Sequence, residues 1–552
     1  MTEKMLFIFN FFKKRPAFLV FFVTFLIYSP VLFNQYIGDD QSVFERNTFY
    51  HTWKNIPRLF GKDYISNIRE MELHFDSPAD LGPGRNTYRP ISNLTYFLDY
   101  YLFQAKPYGS HLINILIHCV NSILVFLVVN RIFLSSILGL FAALLFSLHP
   151  IQSEAVAVMS YRADIFTAML VLSSFYFWIK FKQGGYVSKK HYVGSLVMCF
   201  FALFSKESAF ILPFVILMSD RLLRGPVLEL KKRAMVYTGF ILILFFYLYL
   251  YLFVFPSPLV SFHWIGGSWI NHCLEIGYIW YSYLINVLMP WTVKTIPGQY
   301  KPPIPQVLSL ATAGMGIVLI VFIIGMYRLW SNYKKCFFFL LWHVVFYLPV
   351  SNLIPIANPM AYRFMYLPSI GLLIVLAFFL HETFQNHLFR AYSRSLSNIL
   401  HGGVILICIT RTLFLNNDFR SDYDVGSAWV RDYPAFGQGY ALLGSVYFNA
   451  GLLKEAESNF EKSVLLGDHL PRELLFLAEC YIRLGEIKRA QALLGQIILN
   501  FPYYDEPYFD LGQIYHSQNN NMKAKEALEK ALELNPNFEA AKNLLGKLKS
   551  NG

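Results

Sequence analysis

The sequence contains little charge. Lys, Arg, Asp and Glu make up 15% of its 552 residues, whereas soluble domains contain about 25%. Hydrophobic residues reach 55% and aromatic residues 18%. This composition excludes a disordered chain, a coiled coil and an ordinary soluble enzyme. It indicates a multi-pass membrane protein instead.

Cysteine clusters and familiar catalytic motifs are also missing. The six cysteines are far apart in the sequence and form no CxxC pair, so we predict neither a disulfide framework nor a metal site. The sequence contains no Walker loop, no GxSxG or HExxH motif, and no Rossmann glycine pattern. ATP hydrolysis by this chain is therefore not expected.

The charge that is present is unevenly distributed. The whole chain has a formal net charge of +12, but residues 434–552 contain 12 Lys or Arg and 14 Asp or Glu, a net of −2. The first 433 residues therefore carry +14, and their basic residues lie between apolar runs. That position indicates membrane topology rather than binding of nucleic acid.

About eleven apolar runs predict membrane-spanning helices. The first extends from about Pro16 to Ile37. It is too long for a signal peptide, and the basic residues before it are expected in the cytoplasm. The others lie at about 110–130, 134–148, 163–180, 191–205, 208–220, 234–256, 307–328, 336–350, 366–381 and 398–416. An odd number of spans places the carboxyl-terminal part on the outer side.

Residues 271–289 are an exception to this alternation. They are apolar but contain His272, Glu275 and Asn286. If they spanned the membrane, the basic loops that follow would lie outside. We therefore predict an interfacial or re-entrant segment on the outer side.

The carboxyl-terminal part repeats with a period of 34 residues. Leu443-Gly444-x-x-Tyr447 recurs as Leu477-Ala478-x-x-Tyr481 and as Leu511-Gly512-x-x-Tyr515. This pattern resembles the tetratricopeptide repeat, a helix-turn-helix unit that stacks into a solenoid. Such an array offers a groove for a partner, although it could equally act as a rigid cap or a dimerisation element.

These features predict an all-α protein with two domains. A polytopic membrane bundle occupies residues 1–420 and includes a long outer loop at 38–110. A linker follows at 421–433. The α-solenoid of about three tetratricopeptide repeats occupies residues 434–552.

Two adjacent carboxylates follow the first apolar run, in Gly38-Asp39-Asp40-Gln41. Neighbouring carboxylates at a membrane surface repel each other, so we expect a cation, a partner or a role as proton acceptor to offset that repulsion. The alternative is a solvated pair at the entry to the loop. We regard Asp39 and Asp40 as candidate catalytic residues.

Further charged residues lie near the ends of apolar runs. Arg89 is a candidate phosphate ligand or a residue that reaches toward lipid headgroups. His149, Glu154, Arg162 and Asp164 lie close together in sequence. Glu154 and Arg162 would form either a structural pair or the lining of a polar cavity.

Two more sites interrupt apolar sequence. Lys206 and Glu207 form either an ion pair that caps a helical hairpin or part of a substrate site. Arg363 precedes another apolar run, and its planar fork of N–H donors suits the phosphate of a lipid carrier.

At these positions the chain resembles the TMTC-type proteins (transmembrane and tetratricopeptide-repeat protein O-mannosyltransferases) and their bacterial relatives, which are polytopic GT-C glycosyltransferases. The matching residues in chain order are Asp39-Asp40, Tyr88-Arg89-Pro90, His111-Leu112-Ile113-Asn114 with His118, His149-Pro150, Ser153-Glu154-Ala155-Val156, Arg162-Ala163-Asp164, Ser205-Lys206-Glu207 and Arg363-Phe364-Met365-Tyr366-Leu367-Pro368-Ser369. The repeats follow, so the resemblance covers nearly the whole chain.

The resemblance implies that the chain moves a sugar from a polyprenyl-phosphate carrier to an acceptor hydroxyl, expected to be Ser or Thr of a protein, on the outer face. Asp39 or Asp40 would deprotonate that hydroxyl, and the sugar would be transferred with inversion. Arg363, together with Arg162 or Lys206, would stabilise the departing phosphate. The repeats would hold the polypeptide, and no divalent metal is indicated.

The resemblance also bears on location. The chain has about three clear repeats and ends in Lys549-Ser550-Asn551-Gly552 rather than in an ER-retention signal. We therefore expect a bacterial inner-membrane protein with its repeats in the periplasm; in a eukaryote they would lie in the ER lumen. The alternatives are a membrane-anchored scaffold without catalysis, a transporter or flippase, and a ligase or polymerase of lipid-linked oligosaccharides.

Overall fold

The computed structural model describes residues 15–550 except 62–87, 224, 226–228, 256–266, 298–299, 301, 303–306, 308, 357, 384–393 and 468–469. Every regular element in this part of the chain is a helix, which confirms the predicted all-α class. The described residues form two compact units, one ending at Ser421 and the other beginning at Asp422.

The first unit contains fourteen α-helices within its described residues, joined in places by short 3₁₀ or π turns. They are α1 (Pro16–Tyr28), α2 (Pro90–Phe103), α3 (Pro107–Phe133), α4 (Ser136–Leu148), α5 (Ser153–Ala157), α6 (Arg162–Gln183), α7 (Lys189–Leu203), α8 (Leu212–Leu222), α9 (Leu230–Tyr249), α10 (Trp269–Leu288), α11 (Leu310–Asn332), α12 (Lys334–Tyr347), α13 (Tyr366–Glu382) and α14 (Arg394–Asp418).

Seven helical segments of the described chain are long and apolar enough to cross a membrane, which confirms a multi-pass protein. They are Pro16–Phe33, Pro107–Phe133, Met159–Gln183, Lys231–Val254, Leu310–Asn332, Tyr362–Glu382 and Ile399–Asp418. An eighth is obtained if α4 and the helical segment Pro150–Ala157, which meet at a bend of 51°, are taken together as one span.

The predicted count of about eleven spans is not confirmed, because three of the apolar runs form short helices. Helices α7, α8 and α12 contain 15, 11 and 14 residues. At 1.5 Å per residue each covers at most about 23 Å, which is less than the roughly 30 Å of a hydrocarbon core. Residues 271–289 lie almost wholly in α10, a continuous helix of 20 residues. Their interfacial or re-entrant position stays a prediction.

Close packing and a buried polar network fix the start of α13. A Cβ atom at Gly371 would lie 2.1 Å from the carbonyl oxygen of Phe339, so only glycine lets α12 and α13 approach this closely. The Tyr366 hydroxyl lies 2.6 Å from His118 Nδ1 and accepts a hydrogen bond of 3.0 Å from Asn121 Nδ2, both on α3. These contacts hold the turn before α13, which carries Arg363, against the rest of the bundle.

The second unit consists of eight helices in its described residues. They are α15 (Asp422–Asp432), α16 (Gly437–Asn449), α17 (Leu453–Leu465), α18 (Pro471–Arg483), α19 (Ile487–Asn500), α20 (Glu506–Ser517), α21 (Asn521–Leu534) and α22 (Glu539–Ser550). Helices α16 to α21 form three antiparallel pairs with the predicted period. Small residues at the repeated positions let each pair approach, as Gly444 does beneath the ring of Phe460.

Residues 421–433, which the sequence predicts as a linker, contain helix α15 and belong to the second unit. A Cβ atom at Gly426 would lie 3.0 Å from the Leu443 side chain, and one at Gly439 would lie 3.1 Å from Trp429 Cβ. Helix α15 therefore packs tightly on α16. The segment is missed as a helix because it lacks the Leu-Gly-x-x-Tyr pattern of the repeats.

Candidate functional site

The two adjacent carboxylates lie in different environments. Gly38 has a φ of +48°, a left-handed conformation that favours glycine. After this turn Asp39 is exposed, whereas Asp40 is completely buried. Within the described chain the Asp39 carboxylate makes no hydrogen bond. The pair is therefore one solvent-facing carboxylate and one internal carboxylate, not two equivalent groups.

Asp40 holds the turn that precedes α6. Its carboxylate oxygens accept hydrogen bonds from the backbone N–H groups of Met159 (3.1 Å) and Ser160 (2.7 Å). Burial raises the pKa of Asp40 to about 6, although these N–H groups favour the ionised form and oppose the rise. Asp40 thus fixes the backbone on one side of Tyr161.

The segment that follows α1 packs on α2 through aromatic rings. The buried members of this cluster are Tyr36, Phe44, Tyr50, Leu59, Tyr96, Phe97 and Met159. The ring centroids of Phe44 and Tyr96 lie 5.7 Å apart, and those of Tyr50 and Phe97 lie 5.3 Å apart. This cluster accounts for several of the aromatics of the predicted outer loop.

Arg363 and Glu154 form a buried ion pair. Arg363 Nη1 lies 2.5 Å from Glu154 Oε1, and Glu154 Oε2 accepts a hydrogen bond of 2.8 Å from the backbone N–H of Tyr362. The guanidinium also lies 4.0 Å from the ring centroid of Tyr161 and 5.0 Å from that of Phe364. Arg363 is thereby held by a carboxylate and by two aromatic faces.

Two further ion pairs lie beside the first. Lys206 Nζ is 2.6 Å from Asp164 Oδ1. Arg89 donates to both oxygens of Glu207, at 3.0 Å from Nε and 2.5 Å from Nη2. The interpretation of Lys206 and Glu207 as an ion pair with each other is therefore wrong, because each forms its ion pair with a residue far along the chain.

The charge states of these pairs follow from burial and proximity. Burial raises the pKa of Glu207, but the charges of Arg89 and Lys206 outweigh it and hold the pKa at about 2. Burial lowers the pKa of Arg89, yet the Glu207 carboxylate keeps that pKa above the ordinary value. For Lys206, burial lowers the pKa against the opposing charge of Asp164. Glu207 is consequently ionised at neutral pH.

A small cleft is lined by members of two of these pairs. Its charged or polar lining residues are Asp164, Lys206, Ser208 and Arg363, and its apolar lining residues are Phe346, Val350, Phe364, Leu367 and Pro368. The lining thus combines cations that can attract an anionic group with apolar side chains that can pack against a hydrocarbon.

Tyr161 is within electrostatic range of both the Asp39-Asp40 pair and Arg363 of the cleft. The charges of Asp39, Asp40, Glu154 and Arg363 all act on its phenol. The sequence contains this tyrosine directly before Arg162, but we did not predict it as a site residue. An aromatic residue beside a charged stretch near a helix end is the signal that points to it.

Arg162 lies outside this cleft and is fully buried. Its guanidinium donates to Asp99 Oδ1 (2.7 Å), Asn114 Oδ1 (2.7 Å), the Ser110 carbonyl (3.0 Å) and Thr95 Oγ1 (3.3 Å). These contacts favour the structural alternative for Arg162. Its partner is Asp99, not Glu154 as the sequence suggested.

His149 is also engaged within the protein. Its Nδ1 accepts a hydrogen bond of 3.3 Å from the backbone N–H of Ile151, and its Nε2 lies 3.1 Å from the carbonyl oxygen of Val287. The ring is almost completely buried. His149 therefore joins the bend after α4 to α10, and these contacts give it a positioning role.

The order of parts in this chain is found in known proteins. The tetratricopeptide repeat family matches at residues 437–466, 474–502 and 506–538. Protein O-mannosyl-transferase TMTC3 of Mus musculus is 24% identical over 92% of this chain, and TMTC3 of Homo sapiens gives the same values. The chain is therefore similar to TMTC-type proteins over most of its length. Protein O-mannosyl-transferase F38B6.6 of Caenorhabditis elegans, 22% identical, matches 75% of this chain.

The relatives are longer than this chain. It spans 62% of each TMTC3 protein and 58% of the Caenorhabditis elegans protein. This similarity confirms the predicted resemblance to the TMTC-type proteins, and the bacterial origin of the chain stays a prediction.

Proposed function

We propose that this chain is a membrane glycosyltransferase that moves a sugar from a polyprenyl-phosphate carrier to a hydroxyl group of a polypeptide. The observation that carries the proposal is that Tyr161 is within electrostatic range of both the exposed Asp39 carboxylate and Arg363, which lines a cleft of charged and apolar residues. The names of the relatives, which are protein O-mannosyl-transferases, support the same reaction class.

In this reaction Asp39 accepts the proton of the acceptor hydroxyl. The hydroxyl oxygen attacks the anomeric carbon as the bond from that carbon to the phosphate oxygen breaks. The phosphate leaves with the bonding electrons, and the sugar is inverted. A carboxylate that is exposed and makes no hydrogen bond to the described residues is suited to this task, whereas Asp40 serves to position the neighbouring backbone.

We propose that the cations of the cleft bind the phosphate of the carrier. Arg363 and Lys206 line the cleft, and Arg89 lies in the adjoining ion pair with Glu207. Each cation already has a carboxylate partner, so the phosphate would share these cations rather than meet vacant ones. Positioned cations of this kind stabilise charge that develops on a leaving group. The apolar residues that line the cleft would contact the first isoprene units of the carrier.

The repeats are assigned to the acceptor. Three stacked repeats offer a surface for a polypeptide, and we propose that they hold the acceptor on the outer side of the membrane, which is the periplasm in a bacterium. The sequence does not predict which sugar is transferred; we propose mannose on the names of the relatives alone. No metal is invoked.

The test compares Asp39→Asn with Glu45→Gln, which removes another exposed carboxylate from the same segment. Purified full-length protein is assayed with short-chain polyprenyl-phosphate mannose and a Ser/Thr-containing peptide. We expect kcat to fall by about 10²-fold or more in Asp39→Asn, the usual effect of losing a general base, and to stay near wild type in Glu45→Gln.

A cellular comparison separates the enzyme from a scaffold. Glycoproteins and surface glycans of a deletion strain are compared with those of strains complemented by wild type or Asp39→Asn. Full restoration of a lost glycan by Asp39→Asn would refute the catalytic assignment. A deletion that changes no glycan would favour the scaffold.

A further inference from the structure

We propose that Tyr161 contacts the sugar of the donor and is the residue by which the site distinguishes a sugar-loaded carrier from a bare one. The inference rests on the proposed function and adds a residue to it. It starts from the position of Tyr161 between the acidic and the basic parts of the site.

The backbone of Tyr161 is fixed from one side by Asp40. The carboxylate accepts hydrogen bonds from the N–H groups of the two preceding residues, Met159 and Ser160. Tyr161 is the last residue of the short 3₁₀ turn Met159–Tyr161 and directly precedes α6. Its Cα position is therefore set by a buried anchor on one side and by a helix start on the other.

The ring of Tyr161 is fixed from the other side by Arg363. The guanidinium lies 4.0 Å from the ring centroid, and the ion pair with Glu154 holds the guanidinium in turn. A cation at this distance over an aromatic face is attracted to it. The ring therefore has a defined orientation before any ligand arrives.

The hydroxyl group of Tyr161 remains available. The residue is partly exposed, and within the described chain its hydroxyl makes no hydrogen bond. Both the Asp39 and the Arg363 charges act on this phenol. It is thus an oriented donor and acceptor at the junction of the proposed base and the proposed phosphate ligands.

The geometry of an inverting displacement places the sugar at that junction. In an inverting displacement the attacking oxygen, the anomeric carbon and the departing phosphate oxygen are roughly in line. The base marks one end of that line and the phosphate cations mark the other, so the sugar ring occupies the space between them. A phenol in that space meets a sugar hydroxyl or the ring oxygen, and one hydrogen bond forms.

The test uses two ligands, short-chain polyprenyl-phosphate mannose and the same polyprenyl phosphate without sugar, with full-length protein in detergent. In Tyr161→Phe the ring and its contact with Arg363 stay, and only the hydroxyl is lost. We expect the affinity for the loaded carrier to fall by about three- to tenfold, the usual effect of one hydrogen bond. The affinity for the bare carrier should not change.

Two variants control the result. Arg363→Met should weaken binding of both ligands, because it removes a phosphate cation. Tyr327→Phe, which removes a hydroxyl from an exposed tyrosine of α11, should weaken neither. Equal losses for both ligands in Tyr161→Phe, or no loss for either, would overturn the sugar contact while leaving the proposed function intact. Wild-type protein that binds neither carrier would overturn the proposed function and this inference together.

Discussion

At the scale of single residues, the adjacent Asp39 and Asp40 differ in what surrounds them. Asp39 faces outward, while Asp40 is buried against two backbone N–H groups. A buried carboxylate needs such donors, because an ionised group without them is costly to remove from water. Mutations of the two residues should therefore produce different phenotypes.

Asp40 makes the stability of the protein depend on pH. Its pKa rises from about 3.8 in the unfolded chain to about 6 in the folded protein. The folded state therefore binds the proton more tightly, and this stabilisation is fully present below pH 3.8 and lost as the pH rises through 6. At roughly 1.4 kcal/mol per unit, the change is about 3 kcal/mol.

The prediction is checked by thermal unfolding of wild type and Asp40→Asn in detergent at several pH values. Relative to Asp40→Asn, wild type should melt at a higher temperature at pH 4.5 than it does at pH 7.5. If the difference in melting temperature between wild type and Asp40→Asn were the same at every pH, the assignment would be contradicted, because only wild type has the titrating group.

Arg162 provides a second prediction at this scale. Both members of its ion pair with Asp99 are fully buried. Replacing Arg162 by Met leaves the Asp99 charge uncompensated, which typically costs about 3–5 kcal/mol. We expect a large loss of monodisperse protein on size exclusion, with partial recovery in the double variant Arg162→Met/Asp99→Leu. If Arg162→Met protein folded normally but no longer bound the carrier, Arg162 would be a residue that binds the lipid-linked sugar donor.

At the scale of helices, small residues let the paired helices of the repeats pack closely. A Cβ atom at Gly444 would lie 2.8 Å from the ring of Phe460, which is completely buried. Gly444→Ala should therefore force α16 and α17 apart at a cost of about 1–3 kcal/mol. Gly495→Ala is the matched control, because open space surrounds that position and alanine favours a helix.

Hydrogen exchange of the full-length protein measures this effect locally. Gly444→Ala should speed exchange in peptides from α16 and α17, whereas Gly495→Ala should slow exchange or leave it unchanged in α19. Faster exchange of equal size in both variants would mean that the two positions are equally crowded, in conflict with the packing described above.

The repeats could be predicted from sequence because each one packs mainly on its neighbours, so the pattern is local. The ion pairs of the site could not. Arg89 and Glu207 are 118 residues apart, and Glu154 and Arg363 are 209 apart. The sequence identifies these residues as unusual in apolar surroundings, but their pairing depends on how distant helices pack. The predicted number of spans is not confirmed, because short helices such as α8 are shorter than a hydrocarbon core is thick.

At the scale of the whole molecule, charge is unevenly distributed along the chain. The first 433 residues carry +14 and the remainder −2. Positive charge between apolar helices sets orientation in the membrane, and the orientation decides on which side Asp39 and the proposed chemistry lie. Neither fold nor ion pairs determine that side, so it needs a direct measurement.

Cys273 allows this measurement. It is exposed near the start of α10, while the other five cysteines are buried. With the amino terminus in the cytoplasm and α10 at the outer surface, a membrane-impermeant maleimide added to intact spheroplasts should label wild type but not Cys273→Ser. Labelling that requires permeabilisation would reverse the orientation and move the proposed reaction to the inner side. Absence of labelling under both conditions would place Cys273 within the hydrocarbon core and contradict the interfacial position of α10.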